Sequence, residues 1–245
     1  MDWPDGARFA GWTVRGRQHG PGEHTWGNGR VYKGEYCKGR QHGEGTLTEP
    51  DGVTVYTGDF REGMRHGQGK QVWPSKTYEG EWRQNRIHGR GTLKWNHSNQ
   101  EYSGQFVHGR FHGHGSFRDD VEGYIGQWVD GVQEGVGKQY FVDGTVYEGG
   151  FVKGRREGFG CLALPDGSVY SGSFEGGHRS GRGIEIAGNG DLFHCGYWQN
   201  DRPDYSHPEI DLDTISEGDS SESSSSSAET SLFSRPSEFE SIFWG

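Results

Sequence analysis

His19, His42, His66, His88 and His112 occupy one slot of five successive sequence repeats, and imidazole is well suited to hold a metal or move a proton near neutral pH. A shared metal needs its ligand nitrogens about 2.1 Å from one ion, whereas equivalent positions in stacked two-strand units sit about 10 Å apart. No metal site is expected. The slot passes to Glu134, Glu157 and Ser180 in later copies and reads as one that stabilises a turn. Eight Gly-x-Gly pairs suggest a phosphate cradle, but a phosphate loop opens a helix and carries Lys-Ser/Thr. These pairs lead into strands, so no cofactor is expected. Cys195 beside His194 offers a thiol and a base, yet neighbours on a strand point to opposite faces. No residue takes a catalytic role, and the chain reads as a non-enzyme. What remains is charge. Arg17, Arg40, Arg86, Arg110 and Arg155 follow tight turns, with Arg65, Arg156 and Arg179 close behind. Turns of one kind fall along one long side of a sheet. Arg17, Arg40, Arg65, Arg86, Arg110, Arg155 and Arg156 are therefore expected to form a basic edge. Asp51, Asp119, Asp120, Asp143 and Asp166 mark an acidic edge opposite. A basic edge suits lipid phosphates or an acidic partner.

The elements that position these residues follow from self-similarity. An aromatic residue, a glycine two positions on and a second ring two further recur as Tyr32-Gly34-Tyr36, Tyr56-Gly58-Phe60, Tyr78-Gly80-Trp82 and Tyr102-Gly104-Phe106. The series continues as Tyr124-Gly126-Trp128, Tyr147-Gly149-Phe151 and Tyr170-Gly172-Phe174. A weaker first copy starts at Phe9, and a partial last copy starts near Phe193, where the spacing slips by one. The first ring and the second glycine of the following Gly-x-Gly pair are always 13 positions apart, as from Tyr32 to Gly45. All length variation falls after that glycine. A rigid hairpin joined by a tolerant loop explains this, because loops absorb insertions cheaply.

The pattern Y-x-G-x-[FWY]-x-x-G-x-x-H-G-x-G, as it stands from Tyr32 to Gly45, resembles the MORN repeat (membrane occupation and recognition nexus) over residues 9–200. The resemblance implies an all-β, elongated single-layer antiparallel sheet of stacked hairpins. It also implies a scaffold role, with cilia, flagella and cytoskeletal or membrane junctions as the usual settings.

Residue alternation supports that fold independently. Tyr32, Gly34 and Tyr36 share one strand face, while Lys33 and Glu35 oppose them. Rings lying over bare glycine backbone offset the cost of glycine in a strand. Eight copies at about 10 Å each predict a ribbon of roughly 80 Å.

Composition agrees. Glycine supplies 45 of 245 residues and hydrophobic types only 29%, too little aliphatic mass for a thick core, while aromatics reach 13%. Doubly wound, TIM-barrel and helical-bundle folds are thereby excluded. No signal peptide or membrane span is read, and three cysteines without paired spacing point to reduced thiols and a cytoplasmic setting. Of the net charge of −10, residues 201–245 carry 11 acids against 2 bases, leaving 24 against 23 in residues 1–200. A balanced body excludes a nucleic-acid footprint.

Residues 1–8 read as a lead, 9–200 as the array and 201–245 as an acidic, Ser-rich disordered tail with a short helix over 238–244. Phe239, Ile242, Phe243 and Trp244 in that helix are expected to dock on a protein surface. The leading expectation is a non-enzymatic scaffold. It would hold a helix or extended peptide of a partner on an open aromatic face made of Tyr56, Phe60, Tyr78, Trp82, Tyr102, Phe106, Tyr124, Trp128, Tyr147 and Phe151. Two alternatives stand beside it: a peripheral module binding acidic phospholipid through the basic edge, and a regulatory segment of a longer multidomain protein.

Overall fold

The computed structural model describes residues 2–207. The expected disordered tail of 201–245 begins too early, because Arg202–Asp204 form a short strand paired with Tyr197–Gln199, and the residues from 208 onward, with Phe239, Ile242, Phe243 and Trp244, lie outside the described residues. The described chain is one antiparallel sheet in which each strand pairs with the next in sequence. The first five hairpins are β1 (Arg8–Val14) and β2 (Arg17–Thr25), β3 (Val31–Cys37) and β4 (Arg40–Thr48), β5 (Val55–Arg61) and β6 (Met64–Val72), β7 (Lys76–Arg83) and β8 (Arg86–Trp95), and β9 (Glu101–Val107) and β10 (Arg110–Arg118). Four more follow: β11 (Glu122–Val129) and β12 (Val132–Phe141), β13 (Val146–Val152) and β14 (Arg155–Ala163), β15 (Val169–Glu175) and β16 (His178–Ile186), and β17 (Leu192–Gln199) with the short β18 (Arg202–Asp204).

The turn inside each hairpin has two residues with positive φ, as at Lys38 (53°) and Gly39 (84°). This is the type I′ geometry that matches the twist of a two-residue hairpin. Asn85 and Asp201 take the second turn position in place of glycine, at 66° and 67°. Each uses its side chain to accept the backbone N–H at the start of the preceding hairpin's return strand, at Arg65 and Arg179. The turns between repeats are held by aspartates. Asp51 accepts the N–H groups of Val53 and Thr54, and Asp166 accepts that of Ser168. Hydroxyl and amide donors from Thr54 and Ser168 hold both carboxyls below their ordinary range.

One glycine from each of β1 to β17 stands opposite a glycine of the neighbouring strand, in an unbroken line from Gly11 and Gly22 to Gly183 and Gly196. The spacing is this close because nothing separates the backbones. A methyl group on Gly34 would lie 2.5 Å from the Cα of Gly45. On one side of this line each Tyr ring lies flat over its glycine pair, and a methyl on Gly115 would meet the hydroxyl of Tyr102 at 2.3 Å.

Next to the line, the first glycine of every Gly-x-Gly pair, from Gly20 to Gly181, has φ between 57° and 79°. The pairing register slips there, as between His112 and Gly115, so each repeat carries a bulge. Only glycine enters this left-handed region without strain. A bulge bends its strand, and one bulge per repeat at the same place creases the ribbon along its length.

Candidate partner-binding groove

The rings expected to form an open face are instead the core. Tyr56, Phe60, Tyr78, Trp82, Tyr102, Phe106, Tyr124, Trp128, Tyr147 and Phe151 are each no more than 6% exposed. Three contacts close them in. Each first ring packs edge-to-face against the second ring of its own repeat and that of the next, as Tyr56 does with Phe60 (5.0 Å) and Trp82 (5.3 Å). Each lies on the glycine line. Where the side chain preceding the His slot is arginine or phenylalanine, it also roofs the ring. Phe111 stacks on Tyr102 at 3.7 Å, while the guanidinium of Arg65 covers Tyr56 and Trp82, and that of Arg156 covers Tyr147 and Phe174.

The phenol hydroxyls are satisfied within the repeat. Tyr32, Tyr56, Tyr78, Tyr102, Tyr124, Tyr147 and Tyr170 each donate to the carbonyl three residues on, at 2.9–3.1 Å. Burial pushes the phenols of Tyr102, Tyr124, Tyr147 and Tyr170 up to about 12. Where the second ring is tryptophan, its indole N–H reaches back to the glycine line, from Trp82 to Gly69 (3.1 Å) and from Trp128 to Gly115 (3.2 Å).

The basic edge is thinner than its sequence suggests. Arg17, Arg40, Arg86, Arg110 and Arg155 begin the return strands and are exposed beside the inner turns. Arg65 and Arg156 leave the edge to roof rings, because their positions pair across the hairpin with Phe60 and Phe151 on the ring face.

The His slot also differs from expectation. The imidazoles of His19, His42, His66, His88 and His112 make no hydrogen bond to a turn among the described residues. Glu134 and Glu157 in the same slot do, accepting the N–H of Lys153 (3.0 Å) and Gly176 (2.9 Å) in the next hairpin.

In the partial last copy the spacing does not slip. His194 takes the tyrosine position, donates from Nε2 to the carbonyl of Tyr197 (3.1 Å) and packs on Trp198 at 5.3 Å, while Phe193 points outward. Gly196 and Trp198 carried that register in the sequence. The array then ends because Tyr205 and His207 stand where the next Gly-x-Gly pair would fall.

The opposite face of the sheet is open. Between β4 and β7 the crease encloses about 540 Å³, floored by the backbone of Gly45, Gly58, Gly69 and Gly80 and walled by Thr46, Thr57, Asp59, Gln68 and Lys70. Side chains on its turn-side wall also lock the bulges. Asp59, Glu81 and Gln105 accept the N–H that the bulge frees on the next strand, at Gln68 (2.8 Å), Arg90 (2.7 Å) and His114 (2.9 Å). The glycine line and the bulge recur through β16, so the backbone pattern that floors this crease repeats along the sheet.

The model of the MORN repeat matches residues 13–29, 32–54, 56–77, 78–96, 102–120, 124–146, 147–169 and 170–192. The chain belongs to the MORN-repeat family. Eight tandem matches make this MORN array a repeat module of the scaffold or binding kind. No curated protein matches the chain. Among solved structures, the array is similar to the TCP domain of SAS-4 (dCPAP) from Drosophila melanogaster, solved with a proline-rich motif of Ana2 (dSTIL). That likeness has 11% identity and a TM-score of 0.35, and it covers 79% of this chain and 90% of that one.

Proposed function

We propose that this MORN array is a non-enzymatic scaffold that holds a segment of a partner protein in the glycine-floored groove on the face opposite the rings. The carrying observation is the division of labour between the two faces. The rings are closed by their neighbours and by Arg65, Phe111 and Arg156, whereas the groove between β4 and β7 is floored by the bare backbone of Gly45, Gly58, Gly69 and Gly80. Such a strip lets another chain approach closely while the flanking Thr, Gln and Lys side chains select it. The cytoplasmic, ciliary or cytoskeletal setting belongs to this proposal and comes from the family resemblance.

The test is capture of partners by the intact chain, by Thr57→Arg with Thr92→Arg in the groove, and by Arg40→Glu with Arg86→Glu on the edge. Loss of a captured protein in the groove pair alone supports the reading, and unchanged capture contradicts it.

A second reading is favoured by Arg17, Arg40, Arg86, Arg110 and Arg155, which line one edge with, among the described residues, a single long ion pair, Arg110 to Asp130 at 3.9 Å. That row would attract acidic phospholipid. Vesicle flotation lost in the edge pair and kept in the groove pair would select it.

A further inference from the structure

The groove carries more negative charge than the sheet needs. Glu35, Asp59 and Glu81 hold one position in three successive repeats, each three residues after the first ring. The structural duty of that position is to accept the N–H freed at the bulge, as Asp59 does from Gln68 and Glu81 does from Arg90. Gln105 performs the same duty toward His114 at 2.9 Å without a charge. Glu35 carries the charge without the bond, for its carboxylate has no hydrogen bond or ion pair among the described residues.

A further acid stands beside this row. Glu44 pairs directly with Asp59 across β4 and β5, and like charges placed opposite each other destabilise a sheet. Neither forms an ion pair among the described residues, although Arg61 stands two positions beyond Asp59 toward the inner turn. The opposite wall supplies Lys33 and Lys70, and Lys70 is taken by Glu79 at 3.4 Å.

We propose that the groove from β3 to β8 binds a basic, extended segment of a partner protein in the polyproline II conformation, with Lys or Arg at every third residue meeting Glu35, Asp59 and Glu81. This rests on the groove reading above and names the partner class. Equivalent positions of successive repeats lie two strand spacings apart, about 9.6 Å. Three residues of polyproline II rise about 9.3 Å and return the side chain to the same side. Across three repeats the two periods drift by less than about 1 Å, so each basic head meets its own carboxylate.

Width and backbone chemistry select that conformation. Thr57 and Asp59 flank the glycine line two residues apart on one strand, a gap of about 6.7 Å. An α-helix measures about 10–12 Å across with its side chains and would ride above the walls instead of reaching the glycine floor. The hydrogen bonds of the strands are spent within the sheet, so a β-strand laid across them finds no ladder to join. A polyproline II segment needs none, since its backbone remains solvated. An acidic segment is repelled by the same carboxylates.

The probe is a labelled peptide of four Lys-Pro-Pro triplets. One counterpart has glutamate in place of lysine, and another has the same composition with its lysines in one block. Each is titrated into the full chain, into Glu35→Gln with Asp59→Asn and Glu81→Gln, and into the groove pair Thr57→Arg with Thr92→Arg. The amide replacements can keep the bulge hydrogen bonds, as Gln105 does, and melting curves with circular dichroism establish that each variant folds. The expected result is binding of the triplet peptide, weakened by added salt, about tenfold weaker in the amide variant and lost in the groove pair. Equal binding of the glutamate peptide, equal binding of the block-lysine peptide, or unchanged affinity in the amide variant would each overturn the proposal. If the groove pair loses natural partners while the amide variant keeps them, the groove reading survives and the basic segment does not.

Discussion

The hydroxyl of Tyr102 donates to the carbonyl oxygen of Gln105, three residues on, at 3.0 Å. That carbonyl lies beside the slip in the pairing of β9 with β10, so the phenol ties the ring to the bulge. Tyr102→Phe keeps the ring and removes the donor. Losing this hydrogen bond is expected to cost about 0.5–1.5 kcal/mol, read as a lower midpoint in denaturant unfolding.

The opposite outcome is expected at Tyr36. This residue occupies the second-ring position that is Phe or Trp in later repeats, and its buried hydroxyl has no hydrogen-bond partner among the described residues. Tyr36→Phe removes an unsatisfied group, so stability is expected to stay level or rise by about 1 kcal/mol. A loss comparable with Tyr102→Phe would show that both phenols are equally bonded in solution.

Glycines of the central line and glycines of the turns are expected to respond differently to alanine. A methyl on Gly137 would meet the Tyr124 hydroxyl at 2.3 Å, whereas one on Gly144 (φ 91°) would meet nothing within 4 Å. Gly144→Ala carries only backbone strain of about 1–2 kcal/mol. Gly137→Ala must displace a buried ring and is expected to cost about 3 kcal/mol or more, with lost amide-exchange protection spreading into the neighbouring hairpins.

Two arginines adjacent in sequence separate the edge from the roof. Arg156→Ala uncovers Tyr147 and Phe174 and is expected to destabilise by about 0.5–2 kcal/mol. Arg155→Ala sits exposed at the edge and is expected to change stability by less than about 0.5 kcal/mol. Thermal melts of the two variants side by side check this.

Alkaline pH is expected to unfold the array as a unit. Burial raises the phenols of Tyr32, Tyr56 and Tyr78 and pushes those of Tyr102, Tyr124, Tyr147 and Tyr170 up to about 12. Unfolded phenols ionise near about 10. Above that point the unfolded chain gives up protons that the folded chain keeps. Stability is therefore full below pH about 10 and lost as pH rises toward about 12. Tyrosinate absorbance should appear together with loss of the sheet signal, not before it.

The hairpin, its tolerant loop and the ring-over-glycine packing were legible in the sequence because glycine and aromatic types admit few substitutes at those positions. The closure of the ring face was not. The roofing position is filled by Gln41, Arg65, Ile87, Phe111, Gln133 and Arg156, and any long side chain serves there, so no residue type marks it. For the same reason Arg65 and Arg156 looked like members of the charged edge. The bulge was present in the sequence as the first glycine of each pair. Its consequence, a crease that turns the plain-looking face into a groove, appears only when the pairing on both sides of that glycine is known.

The most direct test of the division between a closed ring face and an open groove is covalent footprinting of the intact array, free and bound to a captured partner. Protection is expected at Thr57, Lys70 and Thr92, with Arg65, Phe111 and Arg156 unchanged. Protection of Arg65, Phe111 and Arg156 with an unaltered groove would contradict it and return binding to the aromatic side.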